Sequence, residues 1–208
     1  MIDLKGIKNI IFDFGDVIID IDHSLPEKEF RKLGLNNFED LYSQDIQNDL
    51  FDKLEKGLIK PQKFREEIRR NIKTEVSDEV IDEAWNSIIL DIPAERIRVL
   101  EKLKPLYQTF LLSNTNKIHY DQYLADLQRV YRYNSFNDLF KKAYFSFEMG
   151  MQKPHCEIFE FVLNENKLVP EETLFIDDTL RHVEGAAKLG IKTFFLEKGM
   201  DIVRLFEQ

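Results

Sequence analysis

The sequence predicts an α/β fold in which a parallel sheet carries helices on both faces and an all-helical segment is inserted after the first strand. From about residue 93 onward, short apolar runs alternate with helical patterns, as in chains that form a parallel sheet covered on both sides. Between residues 26 and 87, helical patterns follow one another with no strand pattern between them. The inserted segment is therefore expected to lie over one edge of the sheet as a cap.

The helical segment comes after a short buried strand, which is predicted at residues 8–13. Pro26 is expected to open a first helix, over roughly 26–33, and Gly34 stands where that helix would end. Apolar residues recur at helical spacing in two further stretches, Leu50, Phe51, Leu54 and Leu58 in one and Phe64, Ile68 and Ile72 in the other. Ser77 is predicted to cap a last helix, because its hydroxyl can accept a hydrogen bond from a backbone N–H of the first turn.

The alternating part of the chain supplies the remaining strands and helices. The predicted strands are 109–113, 142–146, 173–177 and 191–196. The predicted helices are 93–104, 116–132, 154–166 and 181–189, the last ending at Gly190, followed by a helix at the C-terminus. Together these elements describe a Rossmann-like core of residues 1–15 and 91–208, with a helical cap of residues 16–90.

Composition and charge exclude several classes of protein. The length of 208 residues allows one large domain, or one domain with a smaller insertion. A net charge of −9 argues against a nucleic-acid-binding protein, since that role requires a basic surface. No apolar run approaches the ~20 residues of a membrane span, so no membrane association is expected. The start leads almost directly into a strand, which predicts no signal peptide, and the single Cys156 fits a cytoplasmic location. No oligomeric state is predicted.

Acidic residues follow two of the predicted strands. Asp13 ends the first strand, and Asp177-Asp178 ends the strand at 173–177, so all three are expected at the same edge of the sheet. Taken alone, Asp13 is equally compatible with a turn or a helix cap. The adjacent pair is harder to explain structurally, because like charges repel, whereas a bound divalent cation removes the repulsion. Carboxylate oxygens are the ligands that magnesium prefers, which predicts a Mg²⁺ site.

Two further junctions carry groups suited to an anion. Ser113 and Asn114 lie at a strand-to-helix turn, where a hydroxyl and backbone N–H groups can cradle phosphate. By itself this turn is more simply explained as helix capping. Lys153 lies between a strand and a helix of the same series, directly before Pro154, which suits the first turn of a helix. Each signal alone is weak, but all four at such junctions together predict a site for a phosphoryl group.

With these residues, the chain resembles the haloacid dehalogenase superfamily of phosphohydrolases over nearly its whole length. The stretches that carry the resemblance are FDFGDVIIDID at 12–22, LLSNTNKIHY at 111–120 and YFSFEMGMQKPHCEIFEFVL at 144–163. The resemblance implies that Asp13 is the nucleophile, Ser113 the phosphate-binding hydroxyl and Lys153 the charge-neutralising lysine. It also implies that Asp177 and Asp178 bind the metal. Within the family, the chain is most similar to bacterial phosphatases that act on a sugar 1-phosphate.

The chain departs from the family pattern at two positions. Most phosphatases of this family have a second Asp two residues after the nucleophile as general acid and base, and this chain has Gly15 there. The Gly15 carbonyl can still bind magnesium but cannot transfer a proton. Proton donors considered in its place are Asp16, Asp20, Asp22 and His182. Asp16 is disfavoured because its side chain would face away in an extended chain, and His182 is interpreted as an ordinary residue of a helix's first turn rather than a neighbour of the metal site.

The function predicted from these residues is that of a magnesium-dependent phosphomonoesterase acting on a small phosphorylated metabolite. Asp13 is expected to attack phosphorus and form an aspartyl-phosphate. Magnesium is expected between Asp13, the Gly15 carbonyl, Asp178 and Asp177, while Lys153, Ser113 and Asn114 hold the transferred group. Two alternatives stay open: a 2-haloacid dehalogenase-type hydrolase, against which the acidic pair speaks, and a non-catalytic protein that binds a phosphorylated metabolite.

Overall fold

The protein, described by a computed structural model over residues 2–35, 38, 49–72 and 75–206, is built on a five-stranded parallel sheet. The strands are β1 (Asn9–Phe12), β2 (Gln108–Ser113), β3 (Lys142–Phe145), β4 (Thr173–Asp177) and β5 (Lys192–Phe195). They lie in the order β3-β2-β1-β4-β5. The strand order thus reverses beside β1, and ligands of open α/β sheets bind at the carboxyl ends of the strands at such a switch point.

Helices connect and cover these strands. In the described ranges they are α1 (Ser24–Lys32), α2 (Asp49–Glu55), α3 (Pro61–Asn71), α4 (Asp78–Asn86), α5 (Ala94–Leu103), α6 (Lys117–Asp126), α7 (Ser146–Met149), α8 (Cys156–Asn166), α9 (Leu180–Ala187) and α10 (Ile202–Phe206). A π-helical turn, Leu127–Tyr131, continues α6, and 3₁₀ turns lie at Phe136–Asp138 and Pro170–Glu172. None of the helices in the described ranges is long and apolar enough to cross a membrane.

The strand register brings the predicted site residues to one edge. Phe12 pairs with Leu111 of β2 and with Ile176 of β4. Since the three strands are parallel and in step, the residues that follow these pairs, Asp13, Leu112-Ser113 and Asp177, emerge side by side.

Apolar side chains form one cluster on each face of the sheet and a third within the cap. Neighbours along β1 alternate between faces: Ile10 and Phe12 belong to one cluster and Ile11 to the other. The third cluster joins the cap helices and contains Phe30, Leu35, Phe38, Phe51, Leu54, Phe64, Ile68, Ile72, Ile81, Ala84, Trp85 and Ile118, the last from α6. This cluster gives the cap a core of its own. Burying one such aromatic or aliphatic side chain stabilises a fold by ~1.5–3 kcal/mol.

The predicted fold class is confirmed, and the strands lie within about one residue of their predicted bounds. Four details differ. The first helix begins at Ser24, two residues before Pro26. The helix predicted at 116–132 is regular only to Asp126, and Arg132 ends it in the left-handed region at φ 63°. The strand predicted at 142–146 ends at Phe145, since Ser146 begins α7. The helix predicted from 154 begins at Cys156, which leaves Lys153 and Pro154 in the preceding loop.

The division into core and cap stays a prediction, with one refinement from the packing. Residues 17–19, placed in the predicted cap at 16–90, belong to the apolar cluster beside the sheet. The Ser77 cap is present, with its hydroxyl accepting from the Val80 N–H at 3.4 Å. The parts of the predicted cap at 36–37, 39–48 and 73–74 lie outside the described residues.

Candidate active site

A buried lysine joins two of the predicted acids at the carboxyl edge of the sheet. Lys153 Nζ lies 2.6 Å from Asp13 Oδ1 and 2.7 Å from Asp177 Oδ2, and its side chain is fully buried. Burial alone would lower the pKa of Lys153, but the two carboxylates outweigh burial and raise it. Lys153 is therefore a fixed positive charge in contact with both acids.

Asp177 is fully occupied by protein donors. Its Oδ1 accepts the Thr179 N–H at 2.8 Å, its Oδ2 accepts Lys153, and His182 Nδ1 lies 3.1 Å from both oxygens. Burial would raise the pKa of Asp177, but Lys153 and His182 together lower it to about 2. Asp177 therefore remains ionised and orients Lys153, which leaves it less free than its neighbour to bind a metal.

The surroundings of Asp13 and Asp178 disfavour the ionised forms of both carboxyl groups. Burial, together with the charges of Asp177 and Asp178, raises the pKa of Asp13 to about 8 in spite of Lys153. Burial and the carboxylates of Asp177 and Asp16 raise the pKa of Asp178 to about 6. Negative charge is thus in excess at this edge of the sheet, and a cation is needed to balance it.

The donor set fits magnesium. One carboxylate oxygen each from Asp13, Asp177 and Asp178 lies within 4.8 Å of the others. These are hard oxygen ligands of the kind that Mg²⁺ prefers. Gly15 lines a cavity together with Asp13 and Asp178. A Cβ at Gly15 would lie 2.9 Å from Ile21 Cδ1, so a larger residue there would displace the Ile21 methyl group.

The two residues at the end of β2 do different things. The Ser113 side chain is buried in the wall of this cavity. None of the described side chains forms a hydrogen bond with its hydroxyl, so the hydroxyl is available to a ligand. The Asn114 carboxamide instead bonds to the backbone of Lys153: it accepts the Lys153 N–H and donates to the Lys153 carbonyl, both at 2.9 Å. The Asn114 side chain therefore positions Lys153, and phosphate binding at Asn114 stays a prediction.

His182 is not the ordinary helix residue that the sequence suggested. It is buried, and its Nδ1 contacts Asp177. Its Nε2 has no hydrogen-bond partner among the described residues. Burial lowers the pKa of His182, so a neutral ring that donates to Asp177 fits the contacts.

A cavity of about 140 Å³ connects these groups to the cap. Its walls combine the site residues with side chains from the cap, α6 and α9: Ile21, His23, Glu55, Trp85, Ile88, His119, Tyr123, Thr179 and Arg181. The volume is below the ~300 Å³ at which pockets for drug-sized ligands begin, so the cavity suits a phosphate with a small organic group. A larger groove of about 710 Å³, between the N-terminal segment and α5, contains none of the predicted site residues.

Several wall residues were missed by sequence reasoning. The ring of His119 stacks on Trp85 at 4.6 Å between centroids, and its Nδ1–H donates to Asn86 Oδ1 at 2.8 Å. Burial lowers the pKa of His119 to about 3, so the ring is neutral. His119 lies within the stretch 111–120 that carries the family resemblance, which was the only available signal. No sequence pattern singles out His23, Glu55 or Arg181.

The class of protein follows from comparison with known families. A family model for haloacid dehalogenase-like hydrolases matches residues 7–190, so the chain belongs to this family and is an enzyme of the hydrolase class. The predicted family and enzyme class are confirmed.

Particular relatives are similar over nearly the whole chain. The chain is 32% identical to D-ribitol-5-phosphate phosphatase of Bacteroides thetaiotaomicron, over 94% of each sequence. A family enzyme of the same organism, crystallised as an alanine mutant with magnesium and inorganic phosphate, superposes with a TM-score of 0.91 at 38% identity, covering 98% of this chain and 100% of that one. A predicted family hydrolase of Porphyromonas gingivalis superposes at 0.86 with 32% identity over 98% and 100%. The magnesium predicted for this chain agrees with the magnesium complex of the Bacteroides enzyme.

A haloacid dehalogenase is similar in fold alone. L-2-haloacid dehalogenase of Xanthobacter autotrophicus superposes at a TM-score of 0.61 with 18% identity, over 91% of this chain and 77% of that one. At this level of sequence identity, the similarity shows a shared fold and does not bear on the reaction.

Proposed function

We propose that the protein is a magnesium-dependent phosphomonoesterase that acts through an aspartyl-phosphate on a small polyhydroxylated phosphate ester. The observation that carries the proposal is the contact of one buried Lys153 with both Asp13 and Asp177, beside Asp178 and an available Ser113 hydroxyl. This arrangement offers a nucleophile, a fixed cation and an anion-binding hydroxyl within one cavity. The similarity to a ribitol-5-phosphate phosphatase supports the same class of reaction.

The first half of the reaction uses Asp13. Its carboxylate oxygen attacks phosphorus, the bond from phosphorus to the ester oxygen breaks, and the alcohol leaves after gaining a proton. Lys153 favours the ionised form of Asp13, which the bound cation would favour further, and it compensates charge on the phosphoryl oxygens. The Ser113 hydroxyl donates to one of those oxygens. In the second half, water attacks the phosphorus of the aspartyl-phosphate, and inorganic phosphate and the free carboxylate are released.

Magnesium would be held by Asp13 and Asp178, together with the Gly15 carbonyl, and Asp177 would support the site through Lys153. When bound, the cation neutralises negative charge on the phosphoryl oxygens as a Lewis acid. The excess of buried carboxylates, expressed in the raised pKa of Asp13 and Asp178, supports this assignment.

Two substrate classes are supported by similarity to known enzymes. The sequence resemblance supports α-D-glucose 1-phosphate, whose anomeric oxygen is a better leaving group than a simple alcohol. The ribitol-5-phosphate relative supports a polyol phosphate, whose leaving group is a primary alcohol. The polar cavity residues His23 and Glu55 suit either ligand, because hydrogen-bonding side chains match a polyhydroxylated chain.

The test is a phosphatase assay with and without magnesium. We expect hydrolysis of p-nitrophenyl phosphate that depends on Mg²⁺, and higher kcat/KM for α-D-glucose 1-phosphate or D-ribitol 5-phosphate than for bulky nucleotides. Metal-independent release of halide from a 2-haloacid would favour the dehalogenase alternative. Binding of the sugar phosphates without turnover would favour a non-catalytic binding protein.

A further inference from the structure

His23 is an imidazole that the start of the cap places in the wall of the phosphate cavity. It directly precedes α1, is half-buried, and lines the same cavity as Asp13 and Lys153. Backbone hydrogen bonds hold its segment to the returning chain: the Asp20 N–H donates to the Asp91 carbonyl and the Asp22 N–H to the Ile88 carbonyl, both at 2.9 Å. His23 therefore stands on an anchored segment next to the sheet.

The leaving alcohol must face the cap. Asp13 lies at the edge of the sheet, and in-line displacement places the attacking and leaving oxygens on opposite sides of phosphorus. The wall opposite the sheet is made by residues of the cap, among them His23, Glu55 and Trp85. A residue that protonates the leaving oxygen should belong to this wall.

Position 15, where most family phosphatases carry the proton donor, is a glycine with the Ile21 side chain beside it. A Cβ on Gly15 would meet the Ile21 methyl at 2.9 Å, so Ile21 fills the space next to the backbone that a side chain at 15 would need. His23 follows Ile21 by two residues on the same segment. The segment thus places the Ile21 side chain beside Gly15 and the His23 ring in the wall of the same cavity.

The acids considered from the sequence are engaged outside the cavity wall. Asp16 has φ 52°, so the chain is not extended there, and its carboxylate accepts the Ile21 N–H at 3.3 Å. Asp20 pairs with Arg96 at 2.8 Å. Asp22 accepts the Ser24 N–H at 2.8 Å. None of these three lines the cavity.

The other imidazoles at the cavity are not suited to the leaving group. His182 donates to Asp177 on the sheet side, next to Lys153. His119 is buried against Trp85 and its ring is neutral, so the ring has no imidazolium proton to donate.

We propose that His23 is the general acid and base of the reaction, an inference that rests on the phosphatase function proposed above. In the first step a ring N–H of the imidazolium transfers its proton to the ester oxygen, as the oxygen–phosphorus bond breaks and the bond from Asp13 to phosphorus forms. The alcohol leaves neutral and His23 becomes neutral. In the second step the ring takes a proton from the attacking water, whose oxygen bonds to phosphorus as the Asp13 ester bond breaks. The imidazolium is thereby restored.

The electrostatic surroundings of His23 suit both roles. Burial lowers the pKa of the ring, and the carboxylates of Asp16 and Asp22 oppose that effect. Among the described residues, the neutral ring of His119 also interacts with it, and Glu55 and Arg181 line the same cavity. On balance the pKa of His23 is lowered, so the ring serves readily as the base and needs further negative charge nearby to serve as the acid. A phosphate dianion entering the cavity further favours the protonated ring.

The test compares leaving groups in His23→Gln and wild type. D-Ribitol 5-phosphate needs a proton on its leaving oxygen, whereas p-nitrophenyl phosphate does not. We expect kcat/KM for the ribitol ester to fall ~10²–10⁴-fold, the range of general acid catalysis, and that for the aryl ester to fall less than ~10-fold. The variant should also lose the decline of kcat/KM for the ribitol ester that follows deprotonation of the His23 ring as the pH rises.

Two further variants and the wild type separate the possible failures. His155→Gln changes an exposed histidine outside the cavity and should match wild type on both esters. Equal losses on both esters in His23→Gln would assign His23 to binding or structure and overturn the inference. A selective loss on the ribitol ester in Glu55→Gln, but not in His23→Gln, would transfer the role to Glu55. A wild type inactive on both esters would instead overturn the proposed function itself.

Discussion

The side chain of Asn114 forms two hydrogen bonds with the backbone of Lys153, 39 positions along the chain. The Asn114 carboxamide accepts the backbone N–H of Lys153 and donates to its backbone carbonyl, each at 2.9 Å. The end of β2 thereby fixes the loop from which the Lys153 side chain reaches Asp13 and Asp177. Asn114 is thus a positioning residue that acts through Lys153.

Asn114→Ala should lower kcat more than it raises KM. The substitution leaves two backbone groups of Lys153 unpaired, which should lower the free energy of unfolding by ~1–3 kcal/mol. A loosened lysine should reduce kcat by ~10–100-fold, since misplacement by about 1 Å is enough for such a loss. Steady-state kinetics and urea unfolding measure the two effects.

Asn71→Ala is the matched control, because Asn71 is exposed at the end of α3 and its carboxamide donates to the Glu67 carbonyl on the same helix. It should change neither quantity. A large rise in KM for Asn114→Ala with kcat preserved would instead support the sequence-based prediction that Asn114 binds phosphate directly.

Asp13→Asn should abolish turnover and, without metal, stabilise the fold. The amide cannot attack phosphorus, and loss of a covalent nucleophile costs up to ~10⁶ in kcat in other enzymes. The substitution also removes one of three crowded carboxylates, so the melting temperature in EDTA should rise. Phosphatase assays and thermal unfolding check both outcomes.

Asp121→Asn, at an exposed position of α6, serves as the control and should behave like wild type. Turnover by Asp13→Asn above about a few per cent of wild type, after deamidation is ruled out, would show that Asp13 is not the nucleophile.

Much of the sheet and its catalytic edge could be predicted from sequence. Each strand is a short apolar run with polar ends, and the carboxyl ends of parallel strands share an edge, so Asp13, Ser113 and Asp177 were expected together. The wall residues could not be placed in this way. His119 enters the cavity wall through stacking on Trp85, 34 positions away, and such a contact depends on how the cap packs over the sheet. The pattern around His182 resembled a helix start and did not reveal its contact with Asp177.

Asp178→Asn and Asp177→Asn should separate metal binding from lysine orientation. In wild type, Mg²⁺ at ~100 times its Kd should stabilise the fold by ~2.7 kcal/mol, because a ligand of the folded state shifts the equilibrium by mass action. Asp178→Asn should lose this gain. Asp177→Asn should keep most of it while kcat falls, because Asp177 is taken up by Lys153, His182 and Thr179.

Thermal unfolding with and without MgCl₂ measures the gain in stability for each variant. If Asp177→Asn lost the magnesium effect and Asp178→Asn retained it, the two roles would have to be exchanged.

His119 should make the fold less stable in mild acid. Its pKa is about 3 in the folded protein against about 6.5 when unfolded, so between these values the unfolded chain binds a proton that the folded chain does not. Stability from this group is therefore complete above pH ~6.5 and is lost as pH falls, at up to ~1.4 kcal/mol per pH unit. Between pH 6.5 and 4.5, wild type should lose ~2 kcal/mol more than His119→Gln.

Urea unfolding at the two pH values measures this difference. His155→Gln, which changes an exposed ring, should keep the pH dependence of wild type. Identical pH dependence in His119→Gln and wild type would mean that the folded protein accepts a proton on His119.

Excision of the cap should leave a folded sheet domain with reduced selectivity. The excision should replace residues 24–87 with a short Gly/Ser linker and keep residues 17–19, which belong to the cluster beside the sheet. The ends to be joined already meet, since the Asp22 N–H donates to the Ile88 carbonyl at 2.9 Å. Ile118 contacts the cap cluster and should be changed to Gln in the excised protein, so that no apolar side chain is newly exposed there.

The excised protein loses Glu55 and Trp85 from the cavity wall, and with them the contacts that face the leaving group. We expect cooperative urea unfolding, and a kcat/KM ratio between sugar or polyol phosphates and p-nitrophenyl phosphate that falls by at least ~10-fold, because substrate binding energy from the cap is lost. Full-length Ile118→Gln controls for the surface change and should keep the wild-type ratio. An unchanged ratio in a folded, excised protein would show that the cap does not select the substrate, and would place specificity in the sheet-edge residues alone.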